Sequence, residues 1–150
     1  EGIAPTFSSR AFKHGKGGQG FGLSPEERKA VELRAMRVAR HLYEEAGWEV
    51  VDKSGSHPFD LLATKYSDER FIEVKGTTGG GSKIILTNGE VKHVLLHNRS
   101  SALVIVSNIV LARSGEELVA SGGVITTHMD PWVIDESALE ATDYRYTIHQ

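Results

Sequence analysis

The stretch that most constrains the fold is Ala102-Leu103-Val104-Ile105-Val106-Ser107-Asn108-Ile109-Val110-Leu111-Ala112, an apolar run interrupted only by Ser107-Asn108. A strand with apolar residues on both faces belongs inside a sheet that is covered on both sides. The chain must therefore supply two covers, and two helix starts are written into it. Ser24-Pro25-Glu26-Glu27 and Thr87-Asn88-Gly89-Glu90 are capping boxes, in which hydroxyl and carboxylate satisfy backbone donors that a helix start leaves unpaired. Pro25 in the first helical position reinforces the first of them. Val31, Ala35, Val38, Leu42 and Ala46 then recur at helical spacing, and Gly47 ends the helix. In the second helix Val91, Val94 and Leu95 are expected to face inward.

Ahead of the second helix lies Arg70-Phe71-Ile72-Glu73-Val74-Lys75-Gly76-Thr77-Thr78, which alternates as a strand. Strand, helix, strand predicts a parallel pair joined by a crossover, and so an α/β domain with a mixed central sheet. Trp48 to Val51 reads as a first strand and residues 52–57 as a polar loop. Pro58 to Ala63 forms a hairpin with the Glu73 strand through the polar turn 64–69. Ile84-Ile85-Leu86 reads as a strand, residues 113–123 as a loop, Val124 to Thr127 as a further strand, and Tyr144 to Ile148 as an edge strand.

Composition narrows the class. A hydrophobic content of 39% with 25% charged residues is that of a soluble globular protein, and no apolar run approaches the roughly 20 residues that span a bilayer. Cysteine is absent, which excludes disulfides and thiolate metal sites and agrees with a reducing cytoplasm, the expected compartment. Residues 1–22, rich in glycine and with Arg10, Lys13 and Lys16 against Glu1 alone, read as a flexible linker or arm; residues 23–150 make one domain. Since the chain begins Glu1-Gly2-Ile3, a fragment of a longer protein is expected.

The chemistry-bearing residues gather on the hairpin. Phe71, Glu73 and Lys75 share one face of their strand, Ile72 and Val74 the other, and Asp60 stands opposite Glu73 across the hairpin. Two carboxylates and an ammonium in one place suit a hard divalent cation such as magnesium or manganese, with the lysine orienting or deprotonating a water.

Pro58-x-Asp60 followed by Glu73-x-Lys75 resembles the signature of the PD-(D/E)XK nuclease superfamily. The run from Gly22 to Ser107 also resembles an uncharacterised bacterial domain found at the C-terminus of the plant NO VEIN protein. These resemblances imply a restriction-endonuclease-like three-layer fold and metal-dependent phosphodiester hydrolysis in a defence or restriction-type protein. They also imply roles: Asp60, Glu73 and the Val74 carbonyl as metal ligands, Glu32 of the first helix as a further metal or water ligand, and Lys75 activating the attacking water. Residues expected near the nucleic acid are Lys83 and Thr77 on the glycine-rich segment after the strand, and His57 in the loop before Asp60. DNA, other domains of the parent protein and a second copy are the expected partners. The net charge of −3 fits weak unaided binding to phosphates. It also keeps two alternatives open, a nuclease-fold module that binds nucleic acid or a partner protein without turnover, and a purely structural domain.

Overall fold

The computed structural model describes residues 22–148, so the expected linker lies almost wholly outside the described residues. Helix α1 (Pro25–Glu45) leads into strands β1 (Glu49–Asp52), β2 (Leu61–Lys65) and β3 (Asp68–Gly76). Helix α2 (Asn88–Leu96), strands β4 (Ser101–Ser114) and β5 (Glu117–Met129) and a single 3-10 turn (Glu136–Ala138) follow. The five strands stand in the order β1-β2-β3-β4-β5, all neighbours antiparallel except β3 and β4, which run parallel with α2 between them.

Both capping boxes form: Ser24 Oγ accepts from the Glu27 N–H at 3.1 Å and Thr87 Oγ1 from the Glu90 N–H at 3.2 Å, with each glutamate reaching back to its cap. Gly47, at a φ of 88°, turns the chain out of α1 as expected. The buried face of α1 differs from the expected stripe. Val31, Ala35, Met36, Ala39 and Tyr43 go inside, Val38 and Leu42 flank them, and Ala46 is exposed. The rotation brings two larger residues, Met36 and Tyr43, into the core. It also moves Glu32 to within about 25° of the centre of that face, at about 100° per residue.

This helix covers one face of the sheet, packing with Leu61, Ile72, Val74, Ala102, Val104 and Val106. The opposite face carries Val94 of α2 with Leu103, Ile105 and Trp132. Alternate residues of β4 thus serve the two cores, as its apolar run required, and the layers are helix, sheet, helix. Of the three residues expected to face inward on α2, Val94 alone is buried, because a helix this short presents few residues to the sheet.

Three expected elements change. Residues 84–86 form no strand; Ile84 and Leu86 instead pack against the Val94 cluster. The expected loop 113–123 is a hairpin, with Ser114 opposite Glu117 and Gly115 at a φ of 65° making the tight turn. Its alternation, Leu118 and Ala120 against Val119 and Ser121, is an ordinary strand signal beneath polar composition. Residues 144–148 form no strand, and Tyr144 and Tyr146 are exposed; alternation without a neighbour to pair with does not make a sheet edge.

At the N-terminal end of β3, on the α1 side, the Tyr43 hydroxyl donates to Asp130 Oδ2 at 2.8 Å and lies 3.1 Å from His128 Nε2. Asp130 also pairs with Arg70 at 2.5 Å, and the Arg70 guanidinium lies over the Trp48 ring. These bonds pin the end of α1 to the end of β5. Among the described residues no helix is long and apolar enough to cross a membrane.

Candidate active site

The site is built where β2 stops short. β2 begins at Leu61, opposite Ile72, so β3 beyond Ile72 has no strand on that side. Asp60 fills the gap: its N–H donates to the Ile72 carbonyl at 3.0 Å, and its Oδ2 accepts the Val74 N–H at 2.8 Å. A carboxylate therefore occupies the place of the next β2 carbonyl, and the Val74 carbonyl points to the same open flank, since both groups of a strand residue share an edge. Asp60 stands one step beyond the last paired residues, Leu61 and Ile72, and close enough to Glu73 to repel it.

From Glu73 the cluster runs across the sheet to α2. Lys75 Nζ lies 2.6 Å from Glu73 Oε1 and 3.2 Å from Glu90 Oε2. Glu73 and Lys75 are 3% and 8% exposed, so these are not the solvated pair that Glu-x-Lys on a strand usually makes. Three carboxylates face one ammonium. Burial, followed by repulsion from Asp60, drives Glu73 up to about 8 against the pull of Lys75. Asp60 is raised too, by burial first, with Glu90 and Glu32 adding repulsion and the Val74 N–H and Lys75 opposing. Burial alone would lower the pKa of Lys75, but Glu73 and Glu90 outweigh it and hold the ammonium charged.

Glu90 is the residue that sequence reasoning missed. Its Oε2 also accepts the Thr87 N–H at 2.8 Å, so one oxygen caps α2 and holds Lys75. The capping box was its visible signal, and a cap is all that the signal meant until the helix was seen to start beside the β3 face.

The other expected residues are placed less alike. Glu32 is exposed and paired with Lys29 at 3.4 Å, within electrostatic reach of Asp60. It gets there because α1 presses onto Gly76, where an added Cβ would stand 2.7 Å from that of Ala35. Thr77 is 3% exposed; its N–H and carbonyl bond to Val106 and Ile109, and its hydroxyl accepts the Gly79 N–H at 3.0 Å. The glycine-rich segment is fastened along β4, with Gly79 accepting from the Asn108 N–H and Gly81, at a φ of 72°, lying against Ser107 where no side chain fits. Lys83 is exposed beyond it. His57 is exposed, its Nδ1 2.7 Å from Ser56 Oγ, with its ring on Phe59.

Among the described residues no three His, Asp or Glu side chains stand ready-made as a metal cage. The donor chemistry still fits a hard divalent cation, since Asp60 and Glu73 supply carboxylate oxygens and, once Glu73 gives up its proton, three carboxylates face one ammonium.

Residues 31–119 match the family described as Protein NO VEIN, C-terminal. The chain belongs to that family. The matched span takes in more than half of the chain, from α1 to the start of β5, and so holds Glu32, Asp60, Glu73, Lys75 and Glu90 of the NO VEIN C-terminal domain. No curated protein matches the chain, and no solved structure does.

Proposed function

We propose that this NO VEIN C-terminal domain is a restriction-endonuclease-like nuclease that hydrolyses phosphodiester bonds, most naturally of DNA, with magnesium or manganese. The observation that carries the reading is the meeting of Asp60, Glu73 and Lys75 in one cluster beside an uncovered strand edge. Asp60, Glu73 and the Val74 carbonyl would hold the cation, with Glu32 at hand from α1. When bound, the cation lowers the pKa of a water and offsets charge on the phosphoryl oxygens. The chain's own residues do the rest. Lys75, kept charged by two glutamates, orients the water and donates to the developing negative charge rather than serving as a base. Burial of Glu73 and Lys75 keeps bulk water from screening that interaction. Defence or restriction is the proposed setting, in the cytoplasm, with other domains or a second copy helping to deliver the DNA.

A second reading rests on a specific observation. Lys75 is clasped between Glu73 and Glu90, an arrangement that also suits a nuclease fold kept for binding without turnover. Calorimetric titration of manganese and magnesium into wild type and Asp60→Ala, followed by incubation with plasmid DNA, separates the two. The nuclease predicts manganese binding that is lost in the variant and cleavage by wild type alone. Absence of both in wild type, or undiminished cleavage by Lys75→Ala, refutes it.

A further inference from the structure

Five rings pack together on the α2 side of the sheet, next to the acidic cluster. Phe59, Phe71 and His93 form a triangle with every centroid separation 5.0 Å. His57 packs on Phe59 at 5.3 Å, and His97 on His93 at 4.5 Å and on Phe71 at 5.2 Å. Phe59 is buried, Phe71 and His93 are half-buried, and His57 and His97 are exposed. The set is thus an inner layer of rings with two imidazoles at its open ends.

Its position is set by the same elements that build the cluster. Phe59 precedes Asp60, Phe71 shares the β3 face of Glu73 and Lys75, and His93 follows Glu90 by about one turn of α2. The apolar core on this side is made by Val94, Leu103, Ile105 and Trp132, with Ile84, Leu86 and Ile134, and neither phenylalanine belongs to it. A separate aromatic group, wet at both ends, calls for an explanation other than core packing.

We propose that this ring cluster is a stacking platform for an unpaired nucleobase of single-stranded nucleic acid, held beside the Asp60, Glu73 and Lys75 cluster. Imidazole and phenyl faces stack on any base, and such stacking accounts for about tenfold or more in affinity per base. The chemistry of the rings excludes the two obvious alternatives. The rings are not laid out as a metal site, because His57, His93 and His97 do not come together as a group of three ligating side chains. A phosphate site needs positive charge, whereas burial, followed by His97 and His57, holds the pKa of His93 below its ordinary value. In a chain of net charge −3, a stacking surface also supplies affinity that counterion release cannot. The inference rests on the nuclease reading only for what the bound base would lie next to.

The test is fluorescence anisotropy with a labelled 20-nucleotide oligothymidylate and an abasic oligomer of equal length, in EDTA so that no turnover occurs. The base-bearing strand is expected to bind about tenfold more tightly than the abasic one. His97→Ala and His57→Ala should each reduce that ratio several-fold, and His97→Phe should restore it. Equal affinity for the two oligomers overturns the platform. So does a pair of alanine variants that bind as wild type does; because His57 lies on an exposed loop, its variant decides the matter even if His97→Ala is unstable. A wild type that prefers bases but never cuts DNA refutes the nuclease and leaves the platform. One that cuts DNA without preferring bases does the reverse.

Discussion

Replacing Lys75 with Met removes the one ammonium among Asp60, Glu73 and Glu90 while keeping most of the side-chain volume. Nζ stands 2.6 Å from Glu73 Oε1 and 3.2 Å from Glu90 Oε2. Stripping one partner from a buried pair costs about 3–5 kcal/mol when the charge left behind stays charged. Glu73 has an escape, because its carboxyl, at about 8, holds a proton at neutral pH. A carboxyl raised from 4.5 in the unfolded chain to about 8 in the folded one stabilises the protein fully below about 4.5. That contribution shrinks from there and is gone above about 8. Without the ammonium the folded value rises further, so in the variant the decline runs on past pH 8. Between pH 8 and pH 9 the variant should therefore lose about 1 kcal/mol more than wild type, in which Glu73 is itself still half protonated at pH 8. At pH 6, where Glu73 is protonated in both proteins, the cost is that of the lost contacts to Glu73 and Glu90, about 1–3 kcal/mol. Urea unfolding followed by circular dichroism at pH 6, 7, 8 and 9 measures the difference. A loss that is the same at pH 6 and pH 9 would refute the account of Glu73 as a carboxyl with a raised pKa, stabilised by Lys75.

Two further substitutions probe the scaffold. Gly76→Ala drives a methyl group to within 2.7 Å of the Ala35 Cβ and 3.0 Å of the Val31 carbonyl, and should cost about 1–3 kcal/mol in urea unfolding; wild-type stability would mean that α1 does not press on β3 there. Tyr43→Phe removes the donor to Asp130 and should cost about 1–2 kcal/mol while leaving manganese binding unchanged, since it lies at the other end of β3; weakened manganese binding would show that the two ends communicate.

Much of this is legible in the sequence. The two capping boxes fixed where both helices begin, and the apolar run of β4 required a sheet covered on both sides. The alternation of residues 71–75 gave the faces of β3, and the hairpin brought Asp60 within electrostatic reach of Glu73. What escaped was set by tertiary geometry. The inward face of α1 is centred on Ala39 and Tyr43 because the sheet meets the helix there, and small or amphipathic residues mark such a face weakly. Ile84 and Leu86 carry a strand's composition but find their partners in a side-chain core rather than in a ladder. Glu90 could be read only as a cap, because nothing local says that the first turn of α2 will lie against Lys75.

That shared oxygen ties two events together. Glu90 Oε2 receives the Thr87 N–H and the Lys75 ammonium at once, so whatever draws Lys75 away changes the electrostatics of the first turn of α2. A phosphate approaching Lys75 would compete with Glu90 for the same proton donors and leave its carboxylate to the helix alone. Since His93 lies on that helix and His97 caps its end, a shift of its first turn would carry the rings with it.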